Sequence, residues 1–203
     1  MRYKSIAYAA AVAAALLMGC AGDNDVYPNN PGVPNNEDED RIEKGNDINN
    51  YKVVRIGTQT WIAQNLDYAI EGSVCYDSSS SNCARYGRLY TWDAAMRACP
   101  SGWHLPNDDE WMTLTYYVGS SAGIKLKSGG NGTNEFGFSA NLGGYGDSDG
   151  NFSSISSSGY WWSATKYDVS RAWYRYMSYY NDGVHVYNDY ETKLYSVRCL
   201  QDL

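Results

Sequence analysis

Four of the five cysteines, two histidines and a run of tyrosines are the residues of this 203-residue chain with the chemistry to act on something. Cys75, Cys83, Cys99 and Cys199 make an even set. In an exported chain such a set implies disulfides rather than nucleophiles. Three pairings exist. The short bracket of Cys75 and Cys83 around a Ser-rich loop, Tyr76 to Asn82, favours closing that loop, which leaves Cys99 for Cys199. A zinc site would want Cys-x-x-Cys spacing and more histidine than this chain has. His104 lies between Trp103 and Leu105, and His185 between Val184 and Val186, so both read as packing or surface residues rather than general bases. Asp108, Asp109 and Glu110 follow Asn107 directly. They suit the positive end of a helix dipole better than a metal or catalytic cluster. Asp147-Ser148-Asp149-Gly150-Asn151 alternates oxygen ligands before a glycine, as calcium loops do. It lacks the later bidentate Glu and reads as a hairpin turn. The expectation is therefore no catalytic residue, no metal site and no cofactor.

The stronger functional signal is aromatic. Tyr167, Trp173, Tyr174, Tyr176, Tyr179, Tyr180, Tyr187, Asn188 and Tyr190 crowd one stretch near the C-terminus. Tyr gives rigid, amphipathic contact area, and interspersed Ser and Asn adapt their hydrogen bonds. Alternate residues of a strand face opposite ways, so Tyr174, Tyr176 and Tyr180 would share a face in a regular strand while others turn inward. Rings exposed together would stack on a glycan or anchor a protein. The plainer reading of the same residues is an aromatic β core with its hydroxyls at the surface.

Positioning these residues falls to a sequence that changes character along its length. Tyr51 to Ile56 and Gln59 to Ile62 read as strands around a Gly57-Thr58 turn. Thr91 caps a helix that Pro100 stops, with Trp92, Ala95, Met96 and Cys99 on one face. A second helix runs from Asp108 to Val118, with Asn107 and Glu110 as a capping box and Trp111, Leu114 and Val118 facing inward. Past Gly123 the chain becomes dense in Gly, Ser and Asn. Phe136 to Phe138, Leu142 to Tyr145, Tyr160 to Ser163, Arg171 to Ser178, Gly183 to Tyr187 and Leu194 to Leu200 read as strands. Early helices and a late β-rich half make an α+β order.

Residues 1–19 read as a leader, with Arg2 and Lys4 before an apolar run from Ile6 to Leu17. Leu17-Met18-Gly19-Cys20 resembles the lipobox of bacterial lipoproteins, which implies cleavage before a lipidated Cys20. Residues 20–50 are an acidic flexible linker. Asp23, Asp25, Glu37, Asp38, Glu39, Asp40, Glu43 and Asp47 outnumber Arg41 and Lys44, and Tyr27 is the lone aromatic residue there. Such a segment has too little apolar surface to fold and reads as a tether. Residues 51–203 form one domain with all seven tryptophans. The whole chain carries a net charge of −7, and no basic patch points to nucleic acid. The expected location is a bacterial membrane, reached through lipid on Cys20, at the outer membrane or cell surface.

Five motifs in order carry a family resemblance: Trp61-Ile62-Ala63-Gln64-Asn65-Leu66, Tyr86-Gly87-Arg88-Leu89-Tyr90-Thr91-Trp92, Cys99-Pro100-Ser101-Gly102-Trp103-His104-Leu105-Pro106, Gly159-Tyr160-Trp161-Trp162-Ser163 and Ser196-Val197-Arg198-Cys199. Together they resemble the Fibrobacter succinogenes major paralogous domain. More distantly, Leu105 to Trp111 with Val197-Arg198-Cys199 is similar to the formylglycine-generating enzyme family. That similarity implies a C-type-lectin-like fold with two helices, loop-rich antiparallel sheets and chain ends brought together. Enzymes of that family oxidise a substrate cysteine with a reactive cysteine pair that holds copper. No free pair is identified here, so the expected role is non-catalytic binding. A structural surface module is the alternative, and a divergent enzyme the weaker one.

Overall fold

The computed structural model describes residues 47–203. The leader, Cys20 and the tether up to Asn46 lie outside the described residues. Asp47, the last of the acidic run, accepts from the backbone N–H of Asn49 and caps a 3-10 turn, Ile48–Asn50. Ile48 packs on the core, so ordered packing starts before Tyr51.

Strands β1 (Val53–Ile56) and β2 (Gln59–Ile62) pair antiparallel around Gly57, whose φ of 61° is open to a glycine at little steric cost. The chain then leaves the sheet and forms β3 (Ser73–Val74), α1 (Ser80–Tyr86) and β4 (Leu89–Tyr90). Cys75 and Cys83 are bonded, as their spacing suggested. The segment between them, however, is no open loop. A 3-10 turn at Tyr76–Ser78 leads into α1, which Gly87 ends at φ 78°. Little apolar periodicity marks α1, because only Cys83 and Tyr86 turn inward.

Helix α2 (Trp92–Ala98) starts with Thr91 Oγ1 accepting from Ala94 N–H. Its buried face is Trp92, Ala94, Ala95 and Ala98, and Met96 is exposed. The expected face was thus rotated toward the larger side chain, whereas three small alanines allow close approach. After β5 (Trp103–His104), α3 (Asp108–Val118) has the expected bounds, inward face and reciprocal capping box. A short α4 (Ala122–Leu126) follows, so the described residues contain four α-helices, not two.

The β-rich half contains β6 (Gly143–Gly146), β7 (Phe152–Ile155), β8 (Ser158–Lys166), β9 (Arg171–Ser178), β10 (His185–Tyr190) and β11 (Leu200–Gln201). Their sheet order is β10-β9-β8-β6-β7, antiparallel except where β6 meets β8 at Gly144 and Gly159. A second sheet, β1-β2-β11-β5, joins the C-terminal strand to the first hairpin. Two expected strands are absent. Phe136 to Phe138 is a turn that buries Phe138, and Leu194 to Leu200 is broken into single bridges before β11. The bridging residues of the latter stretch serve different neighbours, Gly146, Tyr90 and Trp161 in succession, so no continuous ladder forms.

Strand β8 is the wall between two cores. Neighbouring strand residues point to opposite faces. Trp161 therefore packs with Trp61, Trp111 and Phe138, while Trp162 packs with Tyr90, Ala94, Ala95 and Tyr195. Each indole N–H finds a partner: Trp161 donates to Asn65 Oδ1 at 2.9 Å and Trp162 to the Tyr90 carbonyl at 2.8 Å. Cys99 and Cys199 are bonded across a separation of 100 residues, fixing the end of α2 to the terminal strand. Among the described residues no helix is long and apolar enough to cross a membrane.

Candidate functional site

The register of β8, β9 and β10 builds an aromatic face. Residues opposite one another on antiparallel strands present their side chains to the same side. Tyr160 pairs with Tyr176, which pairs with His185; Trp162 pairs with Tyr174, which pairs with Tyr187. The result is two rows of three rings across three strands. Tyr145 of β6 extends the first row, 5.0 Å from Tyr160 between centroids. Within the cluster Tyr160 lies 5.9 Å from Tyr174 and 5.2 Å from Tyr176, and Tyr187 lies 6.1 Å from Tyr174. Tilted and edge-on contacts at such distances suit the ring quadrupoles. The rings brace one another and keep their positions on the sheet.

One end of this face is closed and the other is open. Trp162 and Tyr195 are buried. Tyr145, Tyr160, Tyr174, Tyr176 and His185 are half-buried, and Tyr187 is 50% exposed. Burial raises the pKa of Tyr160, and burial with nearby Asp189 pushes that of Tyr174 up to about 12. Burial, with Tyr174 and Asp189 alongside, raises Tyr195 further still. Asp189 Oδ2 accepts from the Tyr195 hydroxyl at 2.8 Å. Lys193 Nζ stands 5.8 Å from the Tyr145 ring centre. The chemistry offered is stacking surface, neutral hydroxyl donors, one carboxylate and one ammonium.

The expected binding residues divide into three groups. Tyr174, Tyr176 and Tyr187 belong to the face just described. Trp173 points to the opposite side of β9, packs on Tyr167 at 4.9 Å, and neighbours Arg171, whose guanidinium donates to Asp168 and to Asn188 Oδ1. Tyr190 pairs with Arg171 at the far end of β10. Tyr179 and Tyr180 contact each other beyond the end of β9, so Tyr180 does not share the Tyr174 face. The expectation needed a regular strand through Tyr180, and β9 stops at Ser178. Tyr145, Tyr160 and His185 were absent from the expected group. Strand alternation is the signal that could have found them, since Tyr160 has the same parity as Trp162 and His185 the same as Tyr187.

Other polar groups have structural work. His104 Nδ1 lies 2.6 Å from Asp202 Oδ1 and its Nε2 lies 2.9 Å from Glu110 Oε1. It joins the C-terminal segment to the start of α3. Arg175, buried beside Trp111, pairs with Asp108 at 2.9 Å, a partner that the dipole reading did not foresee. Asp147 Oδ1 accepts from the backbone of Asp149 and Asn151 at 3.0 Å each, with Gly150 at φ 81°, as a hairpin turn requires. A groove of about 720 Å³ has Val74, Phe152 and Leu194 in its lining and Asp93, Asp147 and Glu191 among its polar groups. Asp93 and Glu191 are paired with Arg97 and Lys166. A polar recess of about 310 Å³ between α1 and Ser139 is lined by Gln64, Asn65 and Asn141. Both hollows lie off the aromatic face. The face is favoured because its ring surfaces remain partly open, whereas the groove's charges at Asp93 and Glu191 are already paired. Among the described residues no three His, Cys, Asp or Glu side chains are arranged to hold a metal ion.

The four cysteines of the domain form two disulfides, which point to an extracytoplasmic location. No curated protein matches the chain, and no solved structure matches it. The chain belongs to the family of the Fibrobacter succinogenes major domain, which matches residues 54–201.

Proposed function

We propose that this family member is an exported, lipid-anchored recognition protein with a non-catalytic, C-type-lectin-like domain. Its binding surface is the face of Tyr160, Tyr174, Tyr176 and Tyr187, and its ligand is a glycan or a protein outside the cytoplasm. One observation carries the reading. Aromatic side chains from four adjacent strands converge on one side of a sheet and remain accessible. A purely structural core would bury them. The disulfides support it further, since they leave Cys75, Cys83, Cys99 and Cys199 without the thiolates that cysteine chemistry needs. Lipid on Cys20 and the acidic tether would hold the domain away from a bilayer.

The test is binding of the full chain, carrying Cys20→Ser to keep it free of lipid, to arrayed glycans and cell-surface proteins. A Tyr174→Ser/Tyr176→Ser/Tyr187→Ser variant runs beside it. Saturable binding by the first and loss of binding by a still-folded variant is the expected result. Binding equal in both would move the site elsewhere. No binding by either would favour a structural surface module.

A further inference from the structure

The composition of the aromatic face narrows its ligand, and the narrowing rests on the recognition reading above. The rings that line it are Tyr and His, without an aliphatic anchor among them. Three strands set a width of about 10 Å, enough for a short stack of six-membered rings. The rings are in mutual contact, so they form one continuous platform rather than separate slots. Protein partners usually place hot-spot side chains in pockets, and the two hollows described above lie off this face.

The rim is rich in hydroxyls. The β7–β8 hairpin carries Ser153, Ser154, Ser156, Ser157 and Ser158; Ser153 pairs with Tyr145, while Ser156 Oγ is bonded to the Tyr86 hydroxyl. Ser154 and Ser156 hold φ of 66° and 63°, a conformation that costs non-glycine residues energy and that clusters at functional sites. Ser158 Oγ lies 3.4 Å from the Tyr176 hydroxyl. Across the face stand Asp189 and Lys193, so donors and acceptors of both signs border the rings. Apolar ring faces inside a border of small polar groups match a molecule with C–H faces and hydroxyl edges.

We infer that the face takes a neutral oligosaccharide, stacked on Tyr160, Tyr176 and Tyr187 and held at its edges by hydroxyls, with no bridging metal ion. The described carboxylates are not grouped to coordinate one.

The experiment titrates the oxidised Cys20→Ser full chain with hexasaccharides of glucose, xylose, mannose and N-acetylglucosamine, each with and without EDTA. The expected result is saturable binding of at least one sugar, unchanged by EDTA. Tyr176→Ala and Tyr187→Ala should each weaken it about tenfold. Tyr180→Ala, off the face and 83% exposed, should leave it unchanged. Near-ultraviolet circular dichroism confirms that each variant is folded. Absence of binding to all four sugars overturns the inference, as does loss of binding in EDTA or full binding by the Tyr176 and Tyr187 variants. Should the sugars fail while an arrayed protein binds through the same tyrosines, the recognition reading stands and the carbohydrate inference falls. If neither binds, both fall.

Discussion

Tyr195 lies against Tyr160 with ring centroids 5.2 Å apart and planes 22° apart, and its hydroxyl donates to Asp189 at 2.8 Å. It is therefore the floor that holds the open rings up. Tyr195→Phe keeps the floor and removes one buried hydrogen bond, at a cost of about 1 kcal/mol. Tyr195→Ala removes the ring and should cost about 3–5 kcal/mol. Urea denaturation of the two variants gives both values. Ligand binding should survive the first change and weaken with the second.

The same burial predicts an alkaline limit. Tyr51 and Tyr174 are each pushed up to about 12, by burial first and then by Asp67 and Asp189 respectively. Their folded values lie above the ordinary 10.0, so the unfolded chain releases these protons first. Their contribution to stability is complete below pH 10 and is lost as pH rises toward 12. Denaturation midpoints measured between pH 8 and 12 should fall across that window. Asp189→Asn should bring Tyr174 down, which an ultraviolet phenolate titration would register.

What was legible in the chain depended on how local the signal was. Helix α3 was fully readable, because Asn107, Glu110 and the Trp111, Leu114, Val118 spacing all lie within one segment. Both disulfides followed from spacing and parity. Helix α1 was hidden, because a cross-link and a single buried Tyr86 hold a serine-rich stretch with no apolar stripe. The site was half visible. Alternation along β9 placed Tyr174 and Tyr176 together and Tyr187 was expected near them, but the register against β8 and β10 added Tyr160 and His185 and set all five on one side. Register is a relation between distant segments, and no window of the chain contains it.

His104 bridges Glu110 of α3 and Asp202 of the C-terminal segment through both ring nitrogens. Burial opposes its protonation, but the hydrogen bonds to Asp202 and Glu110 outweigh this and raise it above 6.5. Both nitrogens are donors only in the imidazolium. Because the folded value is raised, the added stability is complete below about pH 6.5 and is lost as pH rises through the folded value. The pair is partly exposed, so the whole effect should stay under about 1 kcal/mol. Melting curves of the wild type and His104→Gln should lie further apart at pH 5 than at pH 8. Equal separation at both values would mean the ring acts by packing alone.

The two disulfides should differ in weight. Cys99 and Cys199 close a separation of 100 residues, against 8 for Cys75 and Cys83. Chain entropy assigns about 4.7 kcal/mol to the long closure and about 2.5 kcal/mol to the short one. Paired Cys→Ala variants, compared by urea denaturation, should rank in that order. A reversed ranking would show that the short bridge supports α1 and β3 beyond its entropic effect.

Arg198 is fully buried, with no carboxylate in salt-bridge range among the described residues. Burial pushes its guanidinium down to about 9. The charge is met by oxygens: Nε donates to Asn65 Oδ1, Nη1 to the carbonyls of Ile62 and Phe138, and Nη2 to that of Ser139. The Phe138 ring lies 4.4 Å below. These partners come from the end of β2, the segment after it and the turn before β6, so one side chain ties distant parts of the chain to the C-terminal stretch. Arg198→Met should cost about 3–5 kcal/mol, because it leaves buried carbonyls unpaired as well as losing the donor. Arg198→Lys keeps the charge but offers three donors from one point instead of a planar fork, so it should restore only part of that loss. Complete rescue by lysine in urea denaturation would mean that charge matters here and the fork geometry does not.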